Sequence, residues 1–284
     1  MDLLDLHVGR PAHRGALTLF PVWSGRAVAA RGYTLAAGIV EVGERAGSPL
    51  VEQLIVTNPT GRPALVLDGD LLEGGLQHRV ARRSVLVPAH SSYVLDVLCA
   101  ESGRWQGTSA HQATRRRAPV EVRAALTAGQ QEVWRRVDGY GRRFGCDETS
   151  SLLGAADRGD QRARALVGDL HPLAGQCSLL VGLAGQPLVL DVVDSPRTFA
   201  ALWGPLLRSV ALDALDAPVV PTPGRRARRF LDRLHQAPLH GTGEAGAGVG
   251  VLSSTPFARL HGLVWRDRMV AASAVNVRHT LVAA

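Results

Sequence analysis

Short apolar runs separated by turn residues characterise the N-terminal part of the chain. The clearest runs are Ala64–Leu67, Val85–Val87 and Tyr93–Leu98. The Asn58–Gly61 segment predicts a turn, because Pro presets φ and Gly accepts a positive φ. We therefore expect Pro63–Leu67 to pair antiparallel with Gln53–Thr57. Short strands joined by such turns predict an antiparallel β-sheet or sandwich up to about residue 105.

The pattern changes after this β-rich region. Ser109–Ala118 is polar and basic, so we expect a loop there. Gly129–Tyr140 has the apolar spacing of a helix. Thr149–Val167 predicts one helix, or two helices with a break near Gly159. The middle of the chain is therefore expected to be helical.

Strands return in the last third of the chain. Ser178–Leu183 and Leu188–Val193 flank a short turn and predict a β-hairpin. Ser195 and Pro196 then begin a helix, since Ser is a good N-cap and Pro fits the first helical position. Arg225–Gln236 predicts a basic helix with a narrow apolar face. The closing strands are expected at Val251–Ser253, Ala258–Trp265 and Met269–Val275.

Together these elements predict the α+β class. The expected order is an N-terminal antiparallel β-sheet or sandwich, then central helices, then an α+β segment with antiparallel strands. We place a β-rich subdomain at 1–108, a helical segment at 109–174 and an α+β subdomain at 175–284. A single compact domain is the alternative, because a chain of 284 residues fits either one large or two small domains.

Composition indicates a globular protein of a reducing compartment. Hydrophobic residues make up 46% and charged residues 20% of the chain, which is unlike a disordered protein. The three cysteines are widely spaced, which argues against a disulfide framework. No apolar run approaches the ~18–20 residues of a membrane span, and the N-terminus lacks the pattern of a secretory signal. We therefore expect a cytoplasmic protein without a membrane contact. The sequence does not identify a cofactor or an oligomeric state.

The net charge of +7 raises the question of nucleic-acid binding. All 32 basic residues are arginines, and they are dispersed in small clusters such as Arg115–Arg117 and Arg225–Arg229. Aromatic residues are sparse and are not interleaved with these clusters, as base stacking would require. We therefore favour a solvated surface, and a nucleic-acid binder that uses the Arg clusters is a further alternative.

Two kinds of motif are present without the context that gives them a function. Gly241–Gly246 matches GxGxxG, but a helix precedes it and a strand-like segment follows it. This is the reverse of a dinucleotide-binding turn, so we expect a flexible loop. The ten histidines include no pair with the compact spacing of zinc ligands, and no metal site is predicted.

Polar residues gather at the ends of the predicted strands between Ala64 and Trp105, and three of them are candidates for catalysis. Cys99 would need a positive neighbour such as Arg104 to form a thiolate at neutral pH. The alternative, which we favour, is that Cys99 is a small buried hydrophobic residue. Asp70 and Glu101 are the candidate carboxylates.

The same region predicts a ligand-binding site. An arginine, an amide, an aromatic ring and carboxylates together suit an anionic or ribose-bearing ligand, because Arg binds phosphate in bidentate geometry and Trp stacks on a base. Antiparallel pairing of the three strands would bring these groups to one edge. The alternative is a salt-bridged rim with Trp105 packed in the core. The candidate ligand-binding residues are Asp68, Asp70, Gln77, Arg79, Glu101, Arg104, Trp105 and Gln131.

Several short motifs occur in an order typical of a known protein family. They are VLDGD at Val66–Asp70, Gly74, Gln77–Arg79, SVLVPAHS at Ser84–Ser91, C-x-E-x-G-R-W at Cys99–Trp105, QQEVW at Gln130–Trp134 and the Asp194–Leu215 segment. From about Leu17 to the C-terminus the chain resembles the family named for its association with ADP-ribosylglycohydrolase and rhodanese-phosphatase-superfamily proteins. Leu76 and His78 replace the Lys and Asn of the family pattern, and the change at Leu76 removes a charge contact.

The resemblance implies a bacterial protein that accompanies enzymes of ADP-ribose or related nucleotide chemistry, including those of conflict systems. We therefore predict a cytoplasmic protein that binds a nucleotide-like or ADP-ribose-like anionic small molecule. A stronger form of the prediction adds that it processes this molecule. The alternatives are a non-catalytic scaffold or protein-interaction module, and the nucleic-acid binder described above.

Overall fold

The computed structural model describes residues 5–45, 50–103, 107–146 and 150–283. Two compact units make up this part of the chain. The first unit contains the described residues of 1–31, 162–244 and 248–284, and the second contains those of 32–161 and 245–247. The three-segment division at residues 108 and 174 stays a prediction, because it follows element content along the chain and not packing in space.

The described ranges contain strands and helices in the following order. The strands are β1 (Leu6–Val8), β2 (Ala12–Arg14), β3 (Leu17–Ser24), β4 (Thr34–Leu35), β5 (Glu41–Gly43), β6 (Gln53–Asn58), β7 (Ala64–Val66), β8 (Asp70–Gly74), β9 (Arg79–Ala81), β10 (Val85–Val87), β11 (Ser91–Cys99), β12 (Ala110–Arg117), β13 (Ser178–Leu183), β14 (Gln186–Val193), β15 (His240–Ala245), β16 (Gly248–Ser254), β17 (Ala258–Trp265) and β18 (Arg268–Asn276). The helices are α1 (Val120–Ala125), α2 (Gln130–Phe144), α3 (Leu152–Val167), α4 (Pro196–Ala214), α5 (Gly224–His235) and α6 (Thr280–Ala283).

An antiparallel sheet is the centre of the first unit. Its strands have the order β1-β3-β13-β14-β18-β17-β16-β15, and β2 also pairs with β3. Helix α5 contributes Phe230, Leu231 and Leu234, which lie on one side of the helix. These side chains share a buried core with Phe20 of β3 and Leu180 of β13. The core of this unit therefore combines strands from the beginning of the chain with elements from its last third.

A small closed barrel is the centre of the second unit. Its strands have the order β11-β6-β5-β12-β8-β9, and a separate sheet has the order β10-β7-β4. Because successive side chains of a strand point to opposite faces, the residues of β6 alternate between partly exposed and buried. Leu54 of β6 and Leu95 of β11 lie opposite each other and are fully buried, whereas Val94 is exposed. The barrel interior is therefore apolar over most of its length.

The N-terminal strands differ from the sequence prediction in their pairing. β7 pairs antiparallel with β10 and parallel with β4, so the predicted pairing of Pro63–Leu67 with Gln53–Thr57 is wrong. β6 and β11 belong to the barrel instead. The buried Asn58 amide explains the difference, because its Nδ2 donates to the carbonyls of Arg62 and Val87. These bonds join the end of β6 to Arg62, which follows the turn, and to the end of β10.

Two further segments differ from expectation, and a third decides between two alternatives. Ser109–Ala118 forms β12 and not a loop, because closure of the barrel supplies backbone partners from β5 and β8. The glycine-rich segment forms β15 and β16, so the expected flexible loop is wrong. Helix α3 continues through Gly159 without a break. A single helical glycine costs only about 1 kcal/mol, which neighbouring turns can offset.

The later elements agree with the sequence prediction. β13 and β14 form the expected antiparallel hairpin, and α4 begins at Pro196 after an extended Ser195. The basic helix and the closing strands are also present as α5, β16, β17 and β18. The α+β class is therefore confirmed. None of the helices in the described ranges combines the length and apolar character that a membrane crossing requires.

Candidate functional site

One end of the barrel interior carries polar side chains. Arg79 of β9 lies opposite Cys99 of β11, so both side chains point to the same side of the sheet. Arg79 Nη1 donates to Gln77 Oε1 at 2.9 Å and to Cys99 Sγ at 3.2 Å. The Cys99 thiol donates to Gln77 Oε1 at 3.0 Å. Three buried polar side chains therefore bond to one another at this end of the barrel.

A carboxylate and an imidazole extend this group. Glu44 follows β5, and His111 lies on β12, which pairs with β5. His111 Nε2 lies 3.0 Å from Glu44 Oε1, and the same oxygen lies 3.9 Å from Arg79 Nη2. The His111 and Glu44 side chains are only 0% and 3% exposed. Glu44 Oε2 is also buried and accepts no hydrogen bond from the described residues. We name Gln77, Arg79, Cys99, Glu44 and His111 the barrel-end cluster.

Gly75 makes room for the imidazole of this cluster. Its φ of +61° lies in the left-handed region, which glycine adopts without steric cost. A Cβ at this position would overlap the Nε2 and Cε1 atoms of His111. The Gly75 amide donates to the Ala110 carbonyl at 2.9 Å, which holds the backbone against β12. The absence of a Cβ therefore leaves space for the Nε2 end of the ring, which contacts Glu44.

Burial controls the protonation of the cluster. It lowers the pKa of His111 below its usual value, although the Glu44 carboxylate raises it. His111 is therefore a neutral imidazole near pH ~7. Burial also raises the pKa of the Cys99 thiol, in spite of the neighbouring Arg79 guanidinium. This geometry favours Cys99 as a protonated, hydrogen-bonded core residue and not as a nucleophile.

A groove of about 820 Å³ lies beside the barrel-end cluster. Glu44 and His111 line it, together with Ile55 and Thr57 of β6 and Glu41 of β5. Sites for small molecules have volumes of roughly 300–1,000 Å³. The described lining offers carboxylate acceptors next to an apolar side chain. It therefore suits a small ligand that donates hydrogen bonds.

The end of β11 is held in place by a neighbouring helix. Gln130 of α2 accepts from the Cys99 amide at 2.7 Å and donates to the Cys99 carbonyl at 3.0 Å. Two residues farther along, Glu101 Oε2 accepts from the His78 amide at 3.3 Å and lies 3.8 Å from His78 Nε2. Gln131, the neighbour of Gln130, is exposed. The glutamine that touches the site is therefore Gln130.

Asp68 and Asp70 belong to a different set of contacts. Asp70 Oδ1 accepts from Arg117 Nη1 at 3.1 Å, and its Oδ2 accepts from the Leu67 amide at 2.9 Å. Asp68 Oδ1 accepts from the Ser84 hydroxyl at 2.8 Å. Among the described residues, no hydrogen bond or ion pair joins either aspartate to the barrel-end cluster.

The contacts of Asp70 predict a pH-dependent stability. Burial raises the pKa of Asp70 to about 6, against the opposing effect of Arg117. A carboxyl group with a raised pKa stabilises the fold below its unfolded pKa of about 3.9, and this contribution is lost as the pH rises through the folded value. Because 20% of the side chain is exposed, we expect a loss of about 1–3 kcal/mol between pH ~4 and ~6.5.

Urea unfolding at several pH values, on wild type and Asp70→Asn, measures this loss. The wild-type free energy of unfolding should fall relative to that of Asp70→Asn as the pH rises, because the amide does not titrate. The comparison of the two proteins removes the pH dependence of all other groups. Parallel pH profiles would contradict the prediction.

The candidate residues from the sequence are distributed over two sets of contacts. Those within or next to the barrel-end cluster are Gln77, Arg79, Cys99 and Glu101. Those outside it are Asp68, Asp70 and Gln131. Arg104 and Trp105 lie outside the described residues, so phosphate binding by the first and base stacking by the second stay predictions.

Sequence reasoning missed Glu44, His111 and Gln130. Glu44 follows β5 and His111 lies on β12, so the two are far apart in the chain and become neighbours only when the barrel closes. No local motif marks either of them, so their pairing could not be read from spacing. Within the described residues, no group of three or more His, Cys, Asp or Glu side chains is placed to hold a metal ion.

A comparison with protein-family models covers almost the whole described chain. The model of the ARG and Rhodanese-Phosphatase-superfamily-associated Protein domain matches residues 5–275. The chain belongs to this family. The family description names an association with other proteins and no reaction, so the link to ADP-ribosylglycohydrolase and a bacterial origin stay predictions. Searches of curated proteins and of solved structures gave no significant match.

Proposed function

We propose that the second unit binds a ribose-bearing, nucleotide-like small molecule in the groove beside Glu44 and His111. One observation carries this proposal. Glu44 lines the groove, and its buried Oε2 accepts no hydrogen bond from the described residues. A buried acceptor without a donor costs about 1–3 kcal/mol, and more when it is charged. A ligand hydroxyl would supply the missing donor.

The surroundings of Glu44 support a ribose over a simple alcohol. Glu41 places a second carboxylate in the same groove, so neighbouring hydroxyl groups can each find an acceptor. Ile55 offers an apolar contact for the sugar carbons. The neutral His111 ring holds the other oxygen of Glu44 in place. Binding of the anionic part of the ligand is assigned to Arg104 from the sequence alone.

The proposal concerns binding, and processing of the ligand is a separate step. The barrel-end cluster offers no activated nucleophile, because Cys99 is a buried thiol. Asp70 and Glu101 already accept hydrogen bonds from Arg117 and from the His78 amide. A setting in nucleotide metabolism or in a bacterial conflict system is part of this proposal and rests on the resemblance read from the sequence motifs.

Calorimetric titration of ADP-ribose, ADP and the dideoxyribose analogue of ADP tests the proposal. We expect ADP-ribose and ADP to bind, and the analogue to bind about tenfold to a hundredfold more weakly, since hydrogen bonds to charged groups contribute about 1.5–3 kcal/mol. Glu44→Gln should weaken the binding of ADP by a similar factor. Glu52→Gln, an exposed carboxylate outside the groove, should leave the affinity unchanged.

The two arms of this experiment must agree. If Glu44→Gln binds ADP as tightly as wild type does, the groove is not the site. If ADP and its dideoxyribose analogue bind equally, the ribose hydroxyls make no contact and the ligand class is wrong. Thermal unfolding of each variant shows whether a lost affinity results from a lost fold.

A non-catalytic interaction module is the second candidate function. It is favoured by the internal pairing of Arg79, whose Nη1 is already bonded to Gln77 and Cys99. In this case the cluster would stabilise the barrel, and the groove would bind none of the three nucleotides. A complete absence of binding heat, together with a large loss of stability in an Arg79 variant, would support this candidate over ligand binding.

A further inference from the structure

Helix α5 has two chemically opposite sides. Its buried side consists of Ala227, Phe230, Leu231 and Leu234, which pack in the core of the first unit. At 100° per residue, the exposed side is centred on Arg225 and Arg229. We name Arg225, Arg228, Arg229 and Arg233 the basic face; all four are exposed.

The arginines of the basic face differ from those of other clusters. In the second unit, Arg116 lies 2.7 Å from Asp157 and Arg117 lies 3.1 Å from Asp70. Among the described residues, no ion pair engages Arg225, Arg228 or Arg229. Arg116 and Arg117 are therefore paired with carboxylates, whereas α5 carries the four arginines of the basic face and a single acidic residue, Asp232.

Phe257 extends the basic face in an unusual way. The guanidinium carbon of Arg233 lies 3.8 Å from the centre of its ring, and that of Arg278 lies 4.2 Å away. Contacts of this kind stabilise a cation over an aromatic face. Because arginines already occupy its ring, Phe257 is not available to stack on a base. This surface therefore presents positive charge but no free face of Phe257 on which a base could stack.

We infer that the basic face binds the phosphate backbone of a nucleic-acid duplex without reading its sequence. The face is about 12 Å long, and a duplex carries one negative charge per ~1.7 Å of its axis, so several phosphates can lie opposite the arginines. A lipid surface fits less well, because the apolar side of α5 is buried in the core and cannot insert. The absence of a stacking surface on Phe257 fits contacts to phosphate and not to bases.

Fluorescence anisotropy of a mixed-sequence DNA duplex, titrated with the full chain at several NaCl concentrations, tests this inference. Each phosphate contact contributes about −0.9 to the slope of log K against log salt, so four contacts predict a slope near −3.6. Affinity should then fall about 150-fold between 50 and 200 mM salt. In the Arg225→Ala/Arg228→Ala/Arg229→Ala variant the slope should fall to about −0.9.

Two control variants distinguish binding by the basic face from an effect of the overall positive charge of the protein. Arg62→Ala/Arg82→Ala/Arg115→Ala removes the same charge from exposed positions in the second unit and should keep the wild-type slope. Asp232→Asn removes the acidic residue of α5 and should tighten binding, a gain that misfolding cannot produce. An equal loss of slope in both triple variants would overturn the inference. Equal competition by an unlabelled DNA duplex and by polyglutamate at matched charge would also overturn the inference. That result would show that the basic face binds any polyanion without preference for a duplex.

Discussion

Replacement of Arg79 by methionine is expected to lower the free energy of unfolding by about 3–5 kcal/mol. The Arg79 side chain is fully buried, and its guanidinium bonds to Gln77 and Cys99 and lies 3.9 Å from the Glu44 carboxylate. Methionine keeps much of the volume and removes the charge. Glu44 then remains buried without its cation, which is the costly state for an ion pair. Urea unfolding followed by circular dichroism measures the loss.

Two comparisons assign this loss to the buried pair. Arg82→Met changes an exposed arginine three residues farther along the chain and should stay within about 0.5 kcal/mol of wild type. Adding Glu44→Gln to Arg79→Met should recover part of the stability, because the uncompensated charge is gone. A single Arg79→Met variant as stable as Arg82→Met would show that the cluster is not needed for the fold.

Gly75→Ala is expected to destabilise the protein by about 2–5 kcal/mol and to abolish ligand binding at the groove. Alanine at a positive φ costs about 1–2 kcal/mol, and overpacking adds about 1–3 kcal/mol. The new methyl group would overlap the His111 ring, which must then move away from Glu44. Thermal or urea unfolding gives the stability, and the ADP titration gives the binding.

The steric part of this prediction has its own controls. Gly38 also has a positive φ, of +76°, but a Cβ there would meet nothing within 4 Å. Gly38→Ala should therefore cost only the backbone strain of about 1–2 kcal/mol. Adding Gly75→Ala to His111→Ala should likewise cost only that strain, since the ring is absent. If the cost of Gly75→Ala is the same with and without the imidazole, the two residues are not coupled.

Local sequence patterns were sufficient to predict the elements whose partners are close in the chain. The hairpin of β13 and β14 and the helix that begins at Pro196 were predicted, because turn chemistry and helix-start signals act over a few residues. The pairing of β6 was not predictable in this way. It depends on the buried Asn58 amide and on barrel closure, which no short window of sequence contains. β12 was missed because its side chains are mostly polar and its partners are strands from elsewhere in the chain.

The residues of the candidate site also differ in whether a local signal in the sequence predicts them. Gln77 and Arg79 were placed together because they are two residues apart, and Cys99 was correctly favoured as buried. Glu44 and His111 had no local signal, since one follows β5 and the other lies on β12. A carboxylate and an imidazole that meet across a barrel become visible only when the strand order is known.

Strand β3 pairs along its length with β13, which is synthesised much later. Phe20 lies opposite Leu180, so one edge of β3 remains open until about 160 more residues have been synthesised. At ~5–20 residues per second, this interval lasts roughly 8–30 s on the ribosome. The complete barrel segment is made during that time, while an apolar strand edge stays available to other chains. The duration of this open edge, and not the stability of the finished sheet, then sets the risk of aggregation during synthesis.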